Sequence, residues 1–274
     1  MSIWNSCFPS WARAALFLAI FCGAAPSVSA HRLWLLPSST VLSGNEGWVT
    51  VDAAVSNTLF VFEHRPLRLD GLSVIGPAGR RLEAQNPHTG QFRSSFDLHL
   101  DAPGTYRISL SQSVVLAAWK ENGEAKRWRG PATAMAAHVP PQAEELQTTR
   151  NDMRVETFVT LGKPSRDVLA PAGAGLEVLP ETHPNDLAAG EEAVFVVLLD
   201  GRPAPGTELT VVQGGGRHLE RAFETRAVSG TDGRVRVRFP AAGFYWLQAT
   251  IGAAEPGRSG RRSTCVLTLE VLPQ

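Results

Sequence analysis

Cysteine is scarce. The 274-residue chain has three, and two of them, Cys7 and Cys22, lie in its first thirty residues. Cys265 alone remains beyond them, so no internal disulfide can staple the rest, and stability must come from an apolar core. An excess of one charge is missing too. Lys and Arg number 26 and so do Asp and Glu, for a formal net charge of zero. That balance excludes the basic surface a nucleic-acid partner requires. Past residue 30 no apolar run reaches the roughly twenty residues that span a bilayer, so no integral membrane segment is expected in the mature chain. Catalytic signatures are also absent: there is no Gly-x-Ser-x-Gly, no His-Glu-x-x-His and no phosphate loop ending in Gly-Lys-Ser/Thr. Gly214-Gly215-Gly216 reads as a turn, since no strand–helix unit surrounds it. Glu144-Glu145 and Glu191-Glu192 suit a helix start and a turn better than an acid–base pair. The expectation is a protein that is not an enzyme.

What is present begins with an address. Arg13 precedes the apolar run Ala14–Ala25, and Val28-Ser29-Ala30 places small residues at the −3 and −1 positions of a cleavage site. This predicts a secretory signal peptide over residues 1–30 and a periplasmic location. Removing those thirty residues from 274 leaves 244, and the loss of Arg13 leaves a net charge of −1.

The remainder reads as all-β. Apolar residues make up 43% of the chain, enough for a core, while 25 Gly and 19 Pro supply turns. Trp48–Val55, Phe96–Leu100, Tyr106–Leu110, Glu208–Val212 and Val235–Phe239 alternate apolar and polar residues with the period of a half-buried strand. Turn dipeptides such as Asp200-Gly201 and Asp232-Gly233 separate them. The halves also resemble each other. Leu42-Ser-Gly-Asn-Glu-Gly-Trp-Val-Thr-Val parallels Leu187-Ala-Ala-Gly-Glu-Glu-Ala-Val-Phe-Val, and Ala102-Pro-Gly-Thr-Tyr parallels Ala241-Ala-Gly-Phe-Tyr. These matches predict two tandem immunoglobulin-like β-sandwich domains, at 31–165 and 170–274. The first carries an insertion at about 112–153, with a hairpin turning at Asn122-Gly123 and a helix from Pro141 to Arg150.

The chain opens after its leader with His31-Arg-Leu-Trp-Leu-Leu-Pro. It continues with Gly175-Leu-Glu-Val-Leu-Pro-Glu-Thr-His-Pro-Asn-Asp-Leu and Leu199-Asp-Gly-Arg-Pro, then Thr231-Asp-Gly-Arg-Val-Arg-Val-Arg-Phe-Pro. This combination resembles a bacterial domain-of-unknown-function family commonly described as a periplasmic component of nickel or cobalt uptake systems. The resemblance implies a soluble exported β-protein linked to transition metals, with a membrane metal transporter as a partner. Two places depart from the family's pattern. Arg32-Leu33 replace the middle of a His-Asp-Phe-Trp start, and Phe62-Glu63-His64 stands where a Gly-His pair is common.

Cleavage after Ala30 would make His31 the mature N-terminus. Its amine and imidazole would then close a chelate ring on a divalent metal, and such nitrogen donors suit nickel, cobalt or copper. His64, at the end of an apolar strand, is the expected partner ligand. No two histidines have the i,i+2 or i,i+4 spacing of a preformed local site, so the fold must assemble any centre. His88, His138, His183 and His218 read as turn or loop residues, and His99 as a solvent-facing strand residue. The alternative is a non-catalytic carbohydrate- or protein-binding β-sandwich module of the cell envelope. Trp119 and Trp128, beside Lys126, Arg127 and Arg129, would form its exposed basic-aromatic edge, while Trp34 and Trp246 read as core.

Overall fold

Period-two alternation becomes strand wherever the sequence carries it. The computed structural model describes residues 31–215, 223–252 and 259–274, so the expected leader and its cleavage site lie outside the described residues. Within them run β1 (Arg32–Pro37), β2 (Val41–Leu42), β3 (Gly47–Ser56), β4 (Arg65–Pro66), β5 (Leu72–Ile75) and β6 (Arg81–Leu82). Next come β7 (Gln85–Thr89), β8 (Ser94–Leu100), β9 (Gly104–Glu121), β10 (Glu124–Gly130) and β11 (Glu144–Leu161). The second half holds β12 (Leu176–Pro180), β13 (Glu192–Leu199), β14 (Arg202–Pro203) and β15 (Glu208–Gln213). It ends with β16 (Glu224–Val228), β17 (Arg234–Arg238), β18 (Gly243–Ile251) and β19 (Gly260–Val271).

The strands form sandwich-type sheets. A five-stranded sheet runs β1-β3-β8-β7 with β4 beside β3, and a four-stranded sheet runs β12-β13-β14 with β17 beside β13. Between them lies a ten-stranded sheet in the order β16-β15-β18-β19-β11-β9-β5-β6, with β10 on β9 and β2 on β11. The two sandwiches therefore share one sheet. The seam is β11 against β19, paired in parallel from Thr149–Gly260 to Thr157–Thr268.

Alternation at that seam feeds two cores. Val155, Val159 and Leu161 of β11 enter the core under the five-stranded sheet, with Trp34, Phe96 and Ile108. Phe158 points the other way, into the core with Phe195, Phe239, Leu267 and Leu269. Parallel pairing with cores on opposite faces is the relation produced by an approximate two-fold axis along the seam. The halves match element for element: β1-β3-β8 over β5-β9-β11 corresponds to β12-β13-β17 over β15-β18-β19.

The internal repeat is realised down to single hydrogen bonds. Tyr106 and Tyr245 are fully buried. The Tyr106 hydroxyl donates to the Ala102 carbonyl at 2.6 Å and the Tyr245 hydroxyl to the Ala241 carbonyl at 2.8 Å. Each satisfies its hydroxyl four residues upstream, the tyrosine corner of sandwich folds. The preceding glycines also match, with φ of +141° at Gly104 and +131° at Gly243, a region other residues avoid.

The insertion departs from expectation. The hairpin at Asn122-Gly123 is present, as β9 and β10 pair from Val115–Gly130 to Glu121–Glu124. The expected helix over 141–150 is strand instead: β11 starts at Glu144 and pairs with β9 back to its core end. A long antiparallel partner overrides the helical preference of Ala143–Gln147. Among the described residues α-helix is confined to α1 (Met135–His138). The arm has a small core of its own, Ala117, Trp119 and Val139 packed with Trp128 and Met135.

A buried polar cluster ties the halves together. Arg107 grips Glu156 through both carboxylate oxygens at 3.0 Å, and Ser109 also donates to Glu156. Arg154 reaches the same carboxylate at 3.3 Å, and Glu177 of β12 lies 3.5 Å from Arg107. Glu177 accepts the backbone N–H groups of Ala172 and Gly173 at 2.8 and 3.0 Å. Burial alone would lower the Arg107 pKa, but the charge and hydrogen bonds of Glu156, with the charge of Glu177, hold it above the ordinary guanidinium value. Two cations thus face two anions, and both glutamates are completely buried. Removing one partner strands charge in a dry site. Glu156→Ala is expected to cost about 3–5 kcal/mol in urea unfolding, against less than about 0.5 kcal/mol for the exposed Glu191→Ala. A loss below about 1 kcal/mol for Glu156→Ala would show that the cluster does not bind the halves together.

Candidate functional site

The end of β3 gathers the two histidines. β1 pairs with β3 so that Arg32 faces Ser56, which puts His31 beside Asn57. β4 pairs with the same end of β3, Arg65 facing Val55, which brings His64 in with it. Each histidine is thus one residue outside a strand that pairs with this end of β3. The rings stack with centroids 3.9 Å apart and planes inclined at 23°. His31 is exposed and His64 half-buried.

The turn between β3 and β4 is held from below. Trp34, fully buried, donates its indole N–H to Ser56 Oγ at 2.9 Å, and Ser56 Oγ donates to the Thr58 carbonyl at 2.6 Å. Glu63, next to His64, accepts the N–H groups of Asn57 and Thr58 at 3.0 and 2.6 Å. His31 Nδ1 lies 2.8 Å from Asn57 Oδ1. With a carbonyl oxygen as partner, Nδ1 carries the proton and the ring lone pair falls on Nε2. Among the described residues no group of three or more His, Cys, Asp or Glu side chains stands where it could hold a metal ion. The pair offers imidazole nitrogen alone, and a third nitrogen there would be a free His31 amine.

The other histidines are placed elsewhere. His88 lies on the exposed strand β7, and His138 Nδ1 donates to the Ala134 carbonyl at 2.9 Å while its ring stacks on Trp128. His218 lies outside the described residues. His183 lies in the loop between β12 and β13, as its sequence reads, and there it is a buried cross-link. Its Nδ1 accepts the Asn185 N–H at 3.2 Å, and its Nε2 reaches the Ser165 carbonyl at 3.1 Å and Thr105 Oγ1 at 3.0 Å. Asn185 in turn accepts from Thr160 at 2.7 Å. The Thr-His-Pro-Asn segment of the second half is therefore keyed into β9 and β11 of the first. Cys265 is completely buried, and burial, aided by the charge of Glu156, pushes its thiol up to about 12, so it is inert as a nucleophile.

The tryptophan edge does not exist. Trp119 is buried, and Trp128 packs against it in the small core of the arm. A strand places alternate residues on opposite faces, and Trp119 and Trp128 both take the inner one while Arg127 and Arg129 take the outer. Trp34 and Trp246 are core, as expected, with the Trp246 indole donating to the Leu33 carbonyl at 2.9 Å. Neither of two open cavities on the described surface has a histidine in its lining. One, of about 420 Å³, is lined by Arg150, Asp152, Asp200 and Arg261, which neutralise one another through ion pairs of 2.6–2.7 Å. The other, of about 640 Å³ between the Leu59–Phe62 segment and Phe244, has no ionisable side chain in its lining.

The sequence over residues 28–253 matches the profile of a family described as Domain of unknown function (DUF4198). The chain belongs to the DUF4198 family. No curated protein matches it. Among solved structures, the D0-D1 domain of intimin is 12% identical and aligns over 87% of this DUF4198 chain and 97% of its own, at a TM-score of 0.23. The FN1–FN3 domains of chicken CNTN1 are 8% identical over 88% and 99% of the two chains, at a TM-score of 0.22. Likeness at that level carries no functional argument. No helix among the described residues of the DUF4198 chain is long and apolar enough to cross a membrane.

The buried His183 gives stability a pH dependence. Burial holds its pKa below the ordinary 6.5, although the Ser165 carbonyl opposes the shift. The unfolded chain therefore binds this proton more readily, and stability rises with pH up to about 6.5 and is lost as pH falls toward the lowered value. Denaturant titrations between pH 5 and 7.5 should show a steeper acid loss for the wild type than for His183→Gln. Equal slopes would mean that His183 does not carry the effect.

Proposed function

We propose that this protein is an exported, periplasmic transition-metal-binding protein that does not act as an enzyme. It takes nickel, cobalt or copper as cargo through His31 and His64 and passes it to a membrane uptake system. The observation that carries this reading is the contact of the two rings at 3.9 Å, made by residues far apart in sequence. Release of the leader after Ala30 adds the His31 amine, giving three nitrogen donors, a set suited to Cu(II) and Ni(II) in tetragonal geometry.

The donors fit with one adjustment. An amine–imidazole chelate uses Nδ1, the atom that Asn57 now engages at 2.8 Å. Stacked rings also direct their in-plane lone pairs side by side rather than to one point. Binding requires His31 to leave Asn57 and one ring to turn. The exposure of His31 permits this, and the anchored Glu63 turn keeps His64 in place. The family resemblance to nickel and cobalt uptake components supports the same assignment.

Calorimetry on the processed protein, purified with His31 at its N-terminus, is expected to show one equivalent of Cu(II) or Ni(II). His31→Ala should abolish binding, and His64→Ala should weaken it by at least tenfold. Extending the N-terminus by one alanine should change affinity and visible spectrum, because the amine moves off His31. Titrations of the wild type that match the His31→Ala background would refute the assignment.

A further inference from the structure

We propose that the outer face of the five-stranded sheet is a binding site for a neutral glycan, built around Trp48 and Asp97. It is independent of the histidine pair. Trp48 is 53% exposed, on a solvent-facing position of β3 where a strand usually places a polar residue. It is not loose. Its cross-strand neighbour on β8 is His99, and the two rings stack with centroids 4.6 Å apart and planes 20° from parallel. His99 Nε2 is in turn held 2.7 Å from a Glu46 carboxylate oxygen. The indole is thus a braced, flat apolar surface standing in water.

The next rung along the same face is polar. Thr50 opposes Asp97, so Asp97 is the diagonal cross-strand neighbour of Trp48, and such neighbours stand about 7–8 Å apart, within reach of aromatic side chains. That spacing sets Asp97 near the rim of a six-membered sugar ring lying on Trp48. Asp97 Oδ1 accepts from Thr50 at 2.7 Å and Oδ2 from Asn86 of β7 at 2.9 Å. Those bonds, from Asn86 first and then Thr50, hold the Asp97 carboxyl below its ordinary range, so it remains an acceptor with lone pairs to spare. Sugar hydroxyls can donate to the lone pairs that Thr50 and Asn86 leave open, while the C–H face of a pyranose carries the slight positive charge that an aromatic face attracts.

The surroundings select this ligand over others. The core of a protein interface is depleted of charged residues, whereas Trp48 is flanked directly by Glu46 and Asp97, with Thr50 and His99 beside them. Neither rung carries a lysine or arginine, and Asp97 and Glu46 would repel a sulfated or uronic sugar. A neutral chain of hexose or N-acetylhexosamine units meets both conditions.

The test uses the full processed protein and neutral hexasaccharides of glucose, N-acetylglucosamine, mannose and xylose, followed by tryptophan fluorescence and calorimetry. Binding to at least one is expected, with a loss of at least tenfold in Trp48→Ala, partial retention in Trp48→Phe, and a loss in Asp97→Ala. His31→Ala should bind the glycan normally, which separates this site from metal binding. Because Trp48 is exposed, circular dichroism of Trp48→Ala should match the wild type. Failure of all four probes, or binding unchanged in Trp48→Ala, would overturn the proposal, as would binding confined to polyanionic glycans.

Discussion

Everything in this fold depends on one strand being buried on both faces. β11 is the last strand of the first sandwich and, through its parallel pairing with β19, the junction with the second. An edge strand in an isolated sandwich could turn polar groups to water. β11 cannot, because Val155 and Val159 serve one core and Phe158 the other. The intervening polar residues must then find partners inside the protein. Glu156 does so in the Arg107–Arg154–Glu177 cluster, Thr160 with Asn185, and Thr157 with the Thr268 carbonyl at 3.0 Å. The buried polar groups are a consequence of the shared sheet, and they join the two halves.

That rigidity bears on the histidine pair. β1 and β4 both take their position from β3, and β3 stands over the first core. The Trp34–Ser56–Thr58 chain and the Glu63 carboxylate then fix the turn that carries His64. The pair has a firm member, His64, and an exposed one, His31. Trp48 stands farther along the same β3 strand. One sheet therefore carries two chemically unlike groupings, a pair of imidazoles and an aromatic surface beside a carboxylate.

Much of this was legible in the residues. Alternation located the main strands, and the Gly-x-Tyr repeat located the two corresponding corners. His31 and His64 stand out in the sequence by chain position and residue type, and in the fold their rings stack. Other features left no local mark. Ala143–Gln147 carries helical preferences that only a long β9 partner overrules. Trp119 and Trp128 sit among basic residues, and nothing local shows that the arm closes a core of its own over them. His183 is in the loop that its neighbouring proline suggests, but its burial left no local mark because its partners Thr105 and Ser165 lie in the other half. Alternation places Trp48 with Thr50 and Asp52 on one face of its strand, but only the pairing of β3 with β8 sets it against His99.

By itself the sequence determined an all-β chain of two similar halves with sandwich patterning, because side-chain alternation and turn chemistry act over a few residues. It determined which histidines were candidate ligands, because residue type and chain position suffice for that. Tertiary structure alone decided that the halves share a sheet, that a buried ion cluster and His183 tie them together, and that two distant imidazoles touch. Those outcomes depend on which strand edges meet, and edge pairing is a long-range choice with no period and no local motif.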